Sequence, residues 1–260
     1  MKHVASIAGR ELRSLFVSPV AYCVLSLFAI LAGVFFVVHV RNFDDAVMRY
    51  QQMQMFEQLS DLNLNDHVIS FFFQSMTVVL LFAVPALTMG LFAAEKTNGT
   101  QELLLTSPLT IWDIVLGKFL AGAIFVSILA AIVGFFPALL FEFGDPEPLR
   151  TLAGLLGLLL VGLTYVGIGL FASSLTRSQI VAFLLTLAML LVLFILPAFV
   201  QLDLAGGPWL GEALRWLSTE THLEDLLKGL VETQHLAYFA VMIAGFLVLT
   251  KASVESVRWR

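Results

Sequence analysis

The sequence predicts an all-α polytopic membrane protein with six transmembrane helices, an N-terminal interfacial amphipathic helix and short outer helices between spans five and six. Three observations carry this. Apolar residues make up 59% of the 260 positions and mean hydropathy is +0.94. Only 13% of residues are charged, about half of the roughly 25% usual for soluble domains. The apolar residues fall in six long runs separated by polar breaks, the pattern of a multi-span protein. Nothing divides the chain, so residues 1–260 read as one transmembrane domain.

Residues 1–19 come first. Val4, Ile7, Ala8, Leu12, Leu15 and Phe16 recur at helical spacing. Ser6, Arg10, Arg13 and Ser14 occupy the opposite face. A helix with one apolar and one basic face lies in the membrane interface. Ser18-Pro19 ends it, because the residue before proline avoids helical geometry. No small-residue cleavage site follows a short apolar core, so a secretory signal is not expected.

The spans are 20–40, 69–94, 111–140, 152–173, 180–200 and 236–250. Pro85 should kink the second. Thr110 and Asp113 have capping-box spacing at the start of the third, and Lys118 is expected to snorkel from it. The fourth is rich in small residues, as close helix packing requires. The sixth run has 15 residues and should borrow from its flanks, with Lys251 snorkelling.

An even number of spans puts both ends on one side. That side carries nine basic residues (Lys2, Arg10, Arg13, Lys96, Lys118, Arg177, Lys251, Arg258, Arg260) and the other five (Arg41, Arg49, Arg150, Arg215, Lys228). The positive-inside rule places both termini and the 95–110 loop in the cytoplasm of a bacterial inner membrane. Two outer segments are long. Residues 41–68 are polar and Gln/Met-rich, with room for a small helical extension. Residues 201–235 hold Trp209 and Trp216 among leucines, which suggests interfacial or re-entrant helices.

Catalytic signatures are absent. There is no HExxH helix, no GxSxG elbow and no complete phosphate loop. Gly117-Lys118 looks like the end of one, but Trp112 stands where a glycine is needed and Phe119 replaces the Ser/Thr. The lone cysteine, Cys23, supports neither a disulfide nor a metal site. His39, His67, His222 and His235 are scattered through outer regions and read as ordinary loop histidines. Nothing points to nucleic acid. The spans lack well-buried Asp, Glu or Arg, which argues against ion-coupled transport and against a charged filter. Gln74, Ser75 and Thr77 are the candidate path-lining residues, although interhelical hydrogen bonding is the plainer reading. Asn98-Gly99-Thr100 forms a sequon in the cytoplasmic loop and is read as an Asn-Gly turn.

The loop carries a resemblance. Glu95, Lys96, Gly99, Thr100, Glu102, Leu103, Leu104, then Thr106-Ser107-Pro108, then Gly117-Lys118, resemble the signature of ABC-2-type exporter permeases. Arg10-Glu11-Leu12 followed by Ser18-Pro19 is similar to that family's opening pattern. The chain looks closest to the permeases associated with gliding motility, and more distantly to those of copper-site maturation for nitrous oxide reductase. The first outer loop departs from compact family members in being longer and more polar.

The resemblance implies a permease that works as a pair, with a second copy or paralogue, beside two separate cytoplasmic ATPase subunits. It implies an interfacial connecting helix bearing Arg10, Glu11 and Arg13. It also implies a coupling helix over 99–107, with Glu95, Glu102 and Leu103–Leu105 nearest the ATPase. ATP and magnesium would belong to that partner, with no cofactor in this chain. Two functional readings follow. One is an exporter of an amphipathic substrate. The other is a scaffold that transmits ATPase motion to an extracytoplasmic protein within the surrounding lipid.

Overall fold

The computed structural model describes residues 2–55, 62–100, 109–202 and 207–257. Ten α-helices stand out among them, with no strand. The first, α1 (Lys2–Val17), stops at Ser18, whose hydroxyl accepts from the Val20 amide and so caps the next helix at Pro19. That helix, α2, runs Pro19–Gln52. Its 34 residues reach about 51 Å at 1.5 Å per residue, well past the 20–40 expected. Residues 41–52 lose apolar character but contain no glycine or proline, so polarity ends the run without breaking the helix.

A π-helical turn (Asn65–Ser70) leads into α3 (Phe71–Thr88), and α4 (Gly90–Thr97) follows. The break between them falls at Met89, four residues past Pro85. The remaining long helices are α5 (Ile111–Phe143), α6 (Pro148–Leu175), α7 (Gln179–Gln201) and α10 (Thr233–Val257). The last has 25 residues, because helix-compatible polar residues on both sides extend the short apolar run. Two short helices, α8 (Pro208–Leu217) and α9 (Thr219–Leu227), occupy the segment between α7 and α10. Among the described residues, six helical stretches are long and apolar enough to cross a membrane, Asn65–Thr97 counting as one; the chain is a multi-pass membrane protein.

The bundle is arranged around α6, which packs on α3, α5, α7, α9 and α10. Its small residues make this possible. A side chain at Gly157 would lie within 2.8 Å of Leu223, so α9 could not seat there. The central core joins Phe28, Phe72, Phe73, Phe125, Tyr165 and Phe239, all almost fully buried. Phe36 meets Phe72 and Phe136 at centroid distances of 5.5 and 5.4 Å, within the range of favourable aromatic pairs. In contrast, only 17% of the apolar window of α2 is buried inside the chain. Val20, Leu27, Ile30 and Val34 all point outward. That surface suits hydrocarbon or another protein rather than water.

A second apolar cluster joins Ile7, Leu91, Phe92, Ile114, Val115, Leu247 and Val254. It gathers α1, α4, the start of α5 and the last turns of α10 at one end of the bundle, here called the loop end.

Candidate functional site

At the loop end, α1 lies across the first turns of α5. Gly117 makes the crossing possible. A Cβ there would come within 2.6 Å of Ile7 and 3.2 Å of the Val4 carbonyl. The next residue, Lys118, is fully buried. It continues the stripe of Ile114, Val115, Ala121 and Phe125 that faces the core. Its ammonium donates to Glu95 Oε1 at 2.8 Å, to Glu11 Oε1 at 3.1 Å and to the Leu91 carbonyl at 2.5 Å. It also sits 5.1 Å from the centre of the Phe92 ring. Lys118 does not snorkel. The end of α5 is roofed by α1 and α4, so the protein brings counter-charges to the lysine.

Arg10 completes the network. Its guanidinium meets Glu11 at 2.7 Å and Glu95 at 3.4 Å. Arg10 is 54% exposed, whereas Glu11 and Glu95 are 14% and 18% exposed. Two cations and two carboxylates balance, with Arg10 on the outer side of the carboxylates and Lys118 buried beneath them. A buried ion pair of this kind specifies one arrangement more clearly than it adds stability. Three elements distant in sequence are tied at one point. The second carboxylate oxygen of Glu95 is buried with no partner among the described residues. Arg13, on the same helix, is exposed.

A second set of contacts fixes α4. The Ser173 hydroxyl accepts from the amides of Phe92 and Ala93, each at 3.1 Å, and donates to the Met89 carbonyl at 2.9 Å. It therefore satisfies groups freed by the α3–α4 break. Lys96 donates to the Ser174 carbonyl, Thr97 to the Arg177 carbonyl, and Ser253 of α10 reaches the same Ser174 carbonyl at 3.2 Å. Lys251 rests 5.5 Å from the centre of the Trp112 ring.

The loop leaves α4 through a defined cap. Gly99 has φ +69°, and the Thr100 amide bonds the Glu95 carbonyl at 3.0 Å. This is the left-handed glycine ending of a helix. Gly99 therefore closes α4 with the Asn-Gly turn, and a helix over 99–107 does not begin at Gly99. Glu102, Leu103, Leu104 and Pro108 lie outside the described residues. The loop returns at Thr110, whose hydroxyl accepts from the Asp113 amide at 3.1 Å while Asp113 accepts from the Thr110 amide at 3.2 Å. The capping box is present as its spacing predicts.

At the far end, Thr77 bonds its own helix at Phe73 and is buried, and Ser75 bonds Phe71 and His39. Gln74 is half-buried beside them. Below these residues, α2 and α3 border an apolar groove of about 360 Å3 lined by Val24, Phe28, Phe35, Val79 and Phe82. His222 and His235, read from the sequence as ordinary loop histidines, are brought into contact.

Three sequence-predicted residues, Arg10, Glu11 and Glu95, thus converge. Lys118, which joins them, was missed as a site residue. Its signal was position: the eighth residue of a helix, on the same stripe as the apolar residues around it.

These features define a helical membrane domain with an ion-paired cluster at the loop end and no catalytic centre among the described residues. Residues 5–253 match the family described as ABC-2 family transporter protein. The chain belongs to that family. It is 27% identical over 204 residues to the protein named "Probable multidrug ABC transporter permease YbhR" of Escherichia coli strain K12, covering 72% of this chain and 53% of that protein. The protein of the same name from Escherichia coli O157:H7 matches to the same extent. The chain spans about half the length of the curated relatives it matches.

Proposed function

We propose that this chain is the membrane half of an exporter driven by ATP that a separate cytoplasmic subunit hydrolyses, and that the loop over 95–110 receives the stroke. The observation that supports this reading is the Lys118 network. Motion of the loop acts on Glu95, and Glu95 shares its lysine with Glu11 of α1. A push on one short helix thus reaches the N-terminal helix and the third span together. Coupling of this kind needs two arrangements with different contact energies, and a four-charge cluster supplies such an element.

The loop end faces the cytoplasm of a bacterial inner membrane in this reading, as the distribution of basic residues indicates. Two copies, or a copy and a paralogue, assemble with two ATPase subunits. ATP and magnesium bind those subunits. The substrate is amphipathic, in keeping with the apolar α2–α3 groove and the mild polar group of Gln74, Ser75 and Thr77 at its outer end. The outer helices α8 and α9 are re-entrant or interfacial, with α8 packed on α7 and α9 on α6.

The test is co-purification in mild detergent followed by vanadate-sensitive ATPase measurement. A matched neutral pair, Lys118→Met with Glu95→Gln, should preserve assembly and lower substrate-stimulated turnover. Unchanged stimulation in an intact complex would remove the network from the coupling route.

One observation favours a second reading, in which the chain transmits force to an extracytoplasmic partner. The α2 helix is 34 residues long, about 20 Å more than a core of roughly 30 Å requires. Deletion of residues 44–61 should then abolish partner binding while ATPase coupling survives. Retained partner binding would eliminate this reading.

A further inference from the structure

The α8–α9 hairpin is held to α10 by a contact that the export reading does not use. His222 of α9 and His235 of α10 face each other with Nδ1 atoms 2.8 Å apart, and both rings are buried. His222 Nε2 lies 2.9 Å from the Trp216 carbonyl. His235 Nε2 lies 3.7 Å from Asp225 Oδ2. The His222 ring is stacked on Tyr238 with centroids 4.0 Å apart. The Tyr238 hydroxyl donates to the Leu217 carbonyl at 2.8 Å.

These contacts assign the protons. A carbonyl only accepts, so His222 Nε2 carries hydrogen. A neutral His222 then has a lone pair on Nδ1, and His235 Nδ1 must donate to it. His235 Nε2 is free to take one further proton, which would face the Asp225 carboxylate. A second added proton could go only to His222 Nδ1. Two N–H donors would then oppose each other at 2.8 Å.

We infer that His222 and His235 form a proton-binding clasp: it stays closed with one added proton and opens when a second arrives, loosening the α8–α9 hairpin from α10. Its ligand is the proton. The inference stands independently of what the protein exports.

The surroundings support the assignment. Asp225 is the carboxylate beside the clasp, 3.7 Å from His235 Nε2, and Lys228 on the next turn pairs with it at 3.6 Å. Glu220 and Glu224 lie on the same short helix. Arg150 of α6 is committed to Asp66 and to the Leu227 carbonyl, and Tyr165 of α6 is buried. Glu212 and Arg215 of α8 are exposed, Glu232 before α10 bonds Gln234, and α7 has no charged residue. Burial holds His222 below the ordinary histidine range, with the Trp216 hydrogen bond opposing it and His235 adding to the effect. A histidine lowered in the fold keeps its neutral contacts fully above its unfolded pKa. It loses them as pH falls through the lowered value. Opening therefore lies on the acid side of the ordinary histidine range.

The test uses the full chain in lipid nanodiscs. Hydrogen exchange over residues 218–235, corrected for intrinsic rates, should rise roughly fivefold or more between about pH 7 and pH 5, the scale of one lost hydrogen bond. His222→Gln accepts from His235 and donates to Trp216 but takes no proton, so it should abolish the rise. A flat wild-type profile, or the same rise in His222→Gln, overturns the inference. Should the variant fail to fold, 15N-imidazole spectra of the wild type decide. The clasp requires the Nε2–H form of His222 and a two-step titration. An Nδ1–H form, or two independent titrations at the ordinary value, refutes it.

Discussion

Lys118 donates to Glu95 across 2.8 Å although a capped loop separates them in sequence, and the lysine has no exposed surface. Removing one partner of such a pair strands the other in a poor solvent. Lys118→Met should destabilise the domain by about 3–5 kcal/mol. The double variant with Glu95→Gln leaves Arg10 and Glu11 to balance each other and should recover part of the loss. A double-mutant cycle from denaturation in nanodiscs should give a coupling of about 1–3 kcal/mol; additive losses would mean the two residues do not act as a pair.

Gly117 lies under Ile7 with no room for a methyl group. Gly117→Ala should cost about 1–3 kcal/mol by overpacking. Ile7→Ala in the same chain should return most of it, since the added methyl meets the deleted one. Thermal denaturation of the four-member set reads both effects.

At Gly99, φ is +69° and a Cβ would meet nothing. The constraint is the backbone alone. Gly99→Ala should cost about 1–2 kcal/mol, Gly99→Asn less, and Gly99→Pro more, because proline fixes φ near −65°. Hydrogen exchange at Thr100 and over the last turn of α4 should rise in the order Asn, Ala, Pro.

Ser173 serves three backbone groups at once. Ser173→Ala removes the side-chain partner of the buried Phe92 amide and one contact each to the Ala93 amide and the Met89 carbonyl, and should cost about 1–3 kcal/mol. Ser178→Ala at the cap of α7 removes a single exposed contact and should cost about 0.5–2 kcal/mol. The two variants denatured side by side should rank in that order.

Much of this architecture was legible in the sequence because apolar runs report membrane spans directly. The capping box at Thr110, the stop at Ser18-Pro19 and the turn at Asn98-Gly99 were also readable, since each is a local device with a fixed spacing. Helix ends were not. The α2 and α10 helices continue through polar residues, because nothing in residues 41–52 or after Thr250 breaks a helix. The site was half legible. Arg10, Glu11 and Glu95 lay in patterned segments, but their common partner is a tertiary fact. A lysine near a span end looks ready to snorkel until the helices above it are known. The pairing of His222 with His235 was hidden for the same reason: a turn and two helices bring them together.

The order of synthesis follows from the Lys118 network. A lysine inserted in a span carries a cost that rises toward the middle, to about 2.5–3.5 kcal/mol there. Here both carboxylates that neutralise it precede it in the chain. By the time the third span is made, Glu11 and Glu95 already wait outside the ribosome. The N-terminal helix cannot dock until Gly117 and Lys118 arrive beneath it. Its seating is therefore a late event of biogenesis, and an empty seat would mark a chain whose third span has not yet entered the bilayer.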